Sequence, residues 1–102
     1  MKVDSVVAIE EVKSDINAAE QFYNSKGSGI GSYFRYCIIA DIESLRLYAG
    51  IHAKHFGFYR MFSSRFPFAI YYDIKPETAI VVAVIDMRRH PALIKMKLRE
   101  RR

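Results

Sequence analysis

The sequence predicts an α+β domain: an N-terminal strand, then an antiparallel two-helix hairpin packed on one face of a mainly antiparallel four-stranded sheet. Three observations carry this reading. Two runs rich in branched and aromatic residues, 66–74 and 78–85, flank the short break Lys75-Pro76-Glu77, the pattern of a strand hairpin. Upstream, apolar residues recur at helical spacing in two segments joined by a glycine-rich loop. The strand hairpin then empties into Arg88-Arg89-His90-Pro91, so a cationic cluster stands where the last strand ends.

In chain order, residues 3–9 are a short β-rich run and form the first strand. Val12, Ile16, Ala19 and Phe22 or Tyr23 then follow the spacing of an amphipathic helix, with Ser14 or Asp15 placed to cap its start. The turn formers of residues 24–29 stop it. A second helix reads from Gly31 or Ser32 to about Tyr48, with Phe34, Ile38, Ile42 and Leu45 on one face; the short glycine loop makes the two helices antiparallel. Residues 52–54 read as a connector and 56–62 as the second strand, with Gly57 a candidate bulge. Pro91 permits a short last helix over 92–98, in which Ala92, Leu93 and Met96 are placed to dock on the sheet. The order is β-α-α-β-β-β with a short C-terminal helix, and helices on one side leave the other sheet face open.

Composition sets the limits. A chain of 102 residues, 51% apolar, is expected to be a single domain, 1–102, with its own core. No run approaches the roughly 18 to 20 uninterrupted apolar residues of a membrane span. Charges at Asp4, Glu10 and Glu11 break any signal-peptide pattern, so a cytoplasmic location is expected. Cys37, the sole cysteine, excludes an internal disulfide and a thiolate metal cluster and reads as a core or boundary thiol. The net charge of +5 is concentrated at residues 88–102, where seven basic side chains face Glu100 alone. Such a block attracts phosphates or an acidic protein segment through a field that salt weakens; a solvated tail is the alternative, above all for Arg99, Arg101 and Arg102.

Most chemical constellations are incomplete. His52 and His55 have a ligand spacing without further ligands, so no metal is expected. Gly29-Ile30-Gly31 lacks the third glycine and the lysine of a phosphate loop, no serine stands in a nucleophile elbow, and no cofactor is implied.

The strand Arg65-Phe66-Pro67-Phe68-Ala69-Ile70-Tyr71-Tyr72, the turn, the Val-rich strand and the closing Arg88-Arg89-His90-Pro91 resemble the C-terminal half of ParE/RelE superfamily toxins of toxin–antitoxin modules, closer to the ParE type, the plasmid stabilisation proteins. Asp15-Ile16-Asn17-Ala18-Ala19-Glu20-Gln21-Phe22-Tyr23 and Gly29-Ile30-Gly31-Ser32-Tyr33-Phe34 are similar to that group's first helix and its Gly-x-Gly-x-x-Phe lead into the second. The resemblance implies a bacterial toxin that inhibits DNA gyrase by binding and is neutralised by a cognate antitoxin; physically, the antitoxin tail is expected to be an amphipathic acidic segment laid along the open sheet face and the helix hairpin. The same resemblance implies Arg60, Arg65, Phe68, Tyr72, Arg88, Arg89, His90 and Lys95 as partner-binding residues, with Phe58, Arg60, Phe68, Ile70 and Tyr72 sharing one strand parity.

Two alternatives remain open. RelE-type nucleases, similar in fold, cleave mRNA on the ribosome with arginine, lysine and a proton-moving side chain. Their strand arginine would fall at Ala69 and their C-terminal tyrosine near Ile94, so such a site here would have to be rebuilt from Arg65, Arg88 and His90. A non-toxic interaction protein of the same fold is the other. Met61, where the family commonly has arginine, and the basic residues after Pro91 are the departures that leave it open.

Overall fold

The computed structural model describes residues 2–102 and orders the chain as β1 (Ser5–Ala8), α1 (Glu10–Asn24), α2 (Ile30–Glu43), α3 (Leu45–Tyr48), β2 (Lys54–His55), β3 (Phe58–Phe62), β4 (Phe68–Ile74), β5 (Thr78–Asp86) and α4 (Pro91–Glu100). The class is α+β, but the sheet has five strands rather than four, in the order β1-β5-β4-β3-β2. β1 runs parallel to β5, and all other pairs are antiparallel. The additional strand, β2, starts at Lys54, the last residue of the expected connector, and ends at His55, just before the expected second strand. It pairs with β3 across Phe56-Gly57, whose φ angles of 58° and 88° make a two-residue turn of the kind that matches strand twist. Gly57 is thus the second turn residue and not a bulge.

The bulge of the sheet is elsewhere. Tyr71 pairs with Ala83 and Tyr72 with Val81, so Val82 is extra, and Val82 and Ala83 both contribute to one side of the sheet. On the opposite side, Ile70, Tyr72, Ala79, Val81 and Val84 meet Val12, Ile16 and Ala19 of α1 and Phe34, Ile38 and Ile42 of α2. The helices approach closely because position 31 is glycine: a Cβ there would lie 2.4 Å from the Glu20 carbonyl oxygen of α1. An aromatic cluster closes one end of this layer, with Tyr23 stacked on Phe34 and edge-on to Phe66.

The helix starts differ from expectation. α1 begins at Glu10 behind Ile9, without a side-chain cap, so neither Ser14 nor Asp15 caps it. The helix predicted to run to Tyr48 breaks at Ser44, and α3 continues as a separate turn.

The largest correction concerns the sheet face expected to be open. α4 covers it. His90 caps this helix by accepting the Ala92 N–H at Nδ1, 3.0 Å away, and Pro91 fills the first turn, where its missing N–H costs nothing. α4 buries Ile94 and Leu98 against Phe58, Ala69, Tyr71, Val82, Ala83 and Ile85, forming a second core. Ala92, Leu93 and Met96, expected to dock, are exposed instead. The helix is anchored one residue out of the phase read from sequence, and helices lie on both sides of the sheet.

Candidate functional site

β1 ends at Ala8, so among the described residues only the first half of β5, Thr78 to Val81, has a strand partner on its outer edge. Beyond that point α1 lies on one side of the edge and α4 on the other. The space between them is a groove of about 500 Å³ lined by Ser14, Ala18 and Phe22 of α1, Val84 to Asp86 of β5, and Arg89, Lys97 and Arg101. Small side chains at Ser14 and Ala18 leave the room, and Phe22, 47% exposed, forms an apolar wall.

Asp15 fixes the inner end of the groove. Its carboxylate accepts two hydrogen bonds from Arg101, at 2.7 and 2.8 Å, and one from the Val84 N–H at 3.0 Å. Lys97 adds a contact at 3.3 Å. Arg101 also donates to the Val82 carbonyl at 3.0 Å. One ion pair therefore occupies a donor and an acceptor on the unpaired edge of β5, and it ties the C-terminus of α4 to α1. Hydrogen bonding to Asp15 raises the Arg101 guanidinium further above its ordinary value. The C-terminal arginines are not a frayed tail: Arg102 stacks over Phe58 and donates to the Phe56 carbonyl.

The outer end is cationic. Arg88 forks onto Asp86 with bonds of 2.9 and 2.8 Å, and this hydrogen bonding lowers the Asp86 carboxyl below its ordinary range. Arg89, on the groove lining, is exposed.

The residues expected to bind a partner are dispersed. Arg89 lines this groove, and Arg88 is forked onto the lining residue Asp86. His90 begins α4 as its cap, and Lys95 lies exposed on the same helix. Arg60 lies over Phe62 on the α4 side of β3, and Arg65 is exposed in the β3–β4 loop. Phe68 and Tyr72 are buried in the core under α1 and α2; Phe68, 7% exposed, also reaches the lining of this groove, whereas Tyr72 is fully buried. The supposed common parity fails as well. Register pairs Tyr59 with Tyr72 and Met61 with Ile70, so Phe58 and Arg60 share one face while Phe68, Ile70 and Tyr72 share the other. His52 is engaged with the Tyr72 hydroxyl, which also accepts the Gly50 N–H at 2.9 Å. Cys37 is a buried thiol on α2.

Asp15, Phe22, Lys97 and Arg101 were not identified as site residues. The one readable signal was an acidic residue on an apolar stripe, since Val12, Asp15, Ile16 and Ala19 are the buried positions of α1. Its partner, 86 residues away, has no local signature.

No family model matches the chain, and no curated protein does. Among solved structures, the chain is similar to one described as the chromosomal ParDE TA system from P. aeruginosa, with a TM-score of 0.73 at 16% identity, over 80% of this chain and 94% of that one. At that identity the likeness is one of fold.

Proposed function

We propose that this chain is the toxin of a toxin–antitoxin pair, that it acts by binding rather than by catalysis, with DNA gyrase as its target, and that a cognate antitoxin neutralises it at the groove between α1 and α4. The observation that carries the reading is the agreement between the ParDE-like fold and a groove walled by Phe22 on one side and by Arg89, Lys97 and Arg101 on the other. Apolar burial at about 25 cal/mol per Å2 would supply affinity there, and the cations would set orientation and association rate.

The binding mode is favoured over nuclease chemistry by the two positions where a RelE-type enzyme places its functional groups. Ala69 is fully buried and Ile94 nearly so, both in the core beneath α4, where no substrate phosphate reaches. Arg88 is already forked onto Asp86, and the Nδ1 of His90 is engaged with Ala92.

Induction of the chain in bacteria, with and without co-expression of any small open reading frame lying immediately upstream or downstream of its gene, tests the proposal. The expected result is growth arrest with an SOS response, loss of supercoiling and intact mRNA, relieved by the partner. Codon-specific mRNA cuts would overturn the gyrase target, and absence of any growth phenotype would overturn toxicity.

A further inference from the structure

The outer edge of β5 offers more than a greasy groove. Phe68 donates its N–H to Phe66 and its carbonyl accepts from Ser63, so its main-chain groups point away from β5. Its register partner, Asp86, and by the same alternation Val84, partner of Ile70, therefore turn their N–H and C=O groups outward. Asp15 takes the Val84 N–H and Arg101 takes the Val82 carbonyl. The Val84 C=O and the Asp86 N–H come next, and no strand among the described residues pairs with them, because β1 stops at Ala8. They open onto a groove whose two walls differ in chemistry: Ala18 and Phe22 on the α1 side, Lys97 and Arg101 on the α4 side.

We propose that this edge is a strand slot, filled by a short extended segment of the partner protein that hydrogen-bonds the Val84 C=O and Asp86 N–H and alternates apolar with acidic side chains. Side chains of an extended segment point to opposite sides at every step, so one set meets Phe22 and the next meets Lys97 and Arg89. The Asp15–Arg101 pair serves as the stop that fixes register, since it occupies the two main-chain groups at the inner end. The source of the segment, an antitoxin, rests on the proposed function; the recognition chemistry does not.

Two measurements on the full chain test this. The first follows amide exchange by NMR in the complex with the protein encoded by such an adjacent frame. The Asp86 N–H is expected to slow at least tenfold, and an unchanged rate in a formed complex overturns the slot while leaving the toxin reading standing. The second uses a capped six-residue peptide alternating valine and glutamate. The peptide is expected to shift the Val84 to Asp86 resonances, to weaken at least tenfold when alternate backbone amides are N-methylated, and to lose binding when lysine replaces glutamate. Equal binding by the N-methylated peptide, or resonance shifts confined to other surfaces, overturns the main-chain pairing. Peptide binding by a chain that arrests no growth would instead remove the toxin reading and keep the slot. Asp86→Pro, compared with Asp86→Ala, checks the same group by mutation. Proline deletes an outward N–H that β4 does not use, so partner affinity is expected to fall about tenfold below that of the alanine variant.

Discussion

A carboxylate buried on the apolar stripe of a helix is costly to desolvate unless it is paired, and Asp15, with its side chain 4% exposed, is paired with Arg101, Lys97 and the Val84 N–H. Removing it strands the Arg101 guanidinium in a half-closed site. Asp15→Ala is therefore expected to lower unfolding free energy by about 3 to 5 kcal/mol. Lys97→Ala, which removes a longer and partly exposed contact, is expected to cost about 0.2 to 1 kcal/mol. Urea titration of both variants checks the contrast, and equal losses would mean that Asp15 is held by something other than Arg101. Neighbouring aromatics divide in the same way. Phe22 would stabilise the fold if buried as the helical spacing suggested, but it lines the groove, half exposed, while Tyr23 turns inward against Phe34, Phe66 and Phe68. Tyr23→Ala is thus expected to cost about 3 to 5 kcal/mol, the range for a buried aromatic, and Phe22→Ala about 1 kcal/mol or less while weakening partner binding.

Among the elements, α4 determines whether the sheet has one covered face or two. Its docking depends on Ile94 and Leu98, one turn apart, so Leu98→Ala is expected to cost about 2 to 5 kcal/mol, whereas Leu93→Ala on the outer side should stay within about 0.5 kcal/mol. Thermal unfolding of the pair reads the phase of the helix directly. The sequence could not reveal that phase, because residues 93 and 96 and residues 94 and 98 each form an apolar stripe at helical spacing; the second face of the sheet chooses between them. Long periodic segments were legible: α1, α2, β4 and β5 all appear where alternation or helical spacing places them, with ends shifted by a few residues. The strand β2 was not legible, since Lys54 and His55 carry no apolar alternation and Phe56 hides a turn that normally announces itself with asparagine or aspartate. The groove was half legible. Arg88 and Arg89 were visible as the end of a strand, while Asp15 and Arg101 are joined only by tertiary structure.

For the molecule as a whole, four titrating side chains, the partly buried His52 and Asp86 and the buried Tyr71 and Tyr72, bound the pH range in which the fold is strongest. Burial lowers the His52 pKa from its ordinary 6.5, so the folded chain resists a proton that the unfolded chain accepts. The stability this confers is present above about pH 6.5 and is lost as pH falls through the lowered folded value. Asp86, lowered by hydrogen bonding to Arg88, acts in the same sense further down, below its ordinary 3.8. Tyr71 and Tyr72 act at the other end. Burial raises both above their ordinary 10.0, so the unfolded chain loses its phenolic protons first, and stability declines as pH rises past about 10. His52 and Tyr72 are hydrogen-bonded to each other, and the acid and alkaline limbs thus meet at one contact beside the Gly50 turn. Chemical denaturation from pH 4.5 to 11 is expected to give a plateau between about pH 7 and 10, falling on both sides. His52→Gln should flatten the acid limb below about pH 6.5 and leave the alkaline limb unchanged. Tyr72→Phe should lower the plateau by about 1 kcal/mol, through the lost bond to Gly50, and make the alkaline limb shallower. An acid limb of unaltered slope in His52→Gln would place the responsible proton on another group.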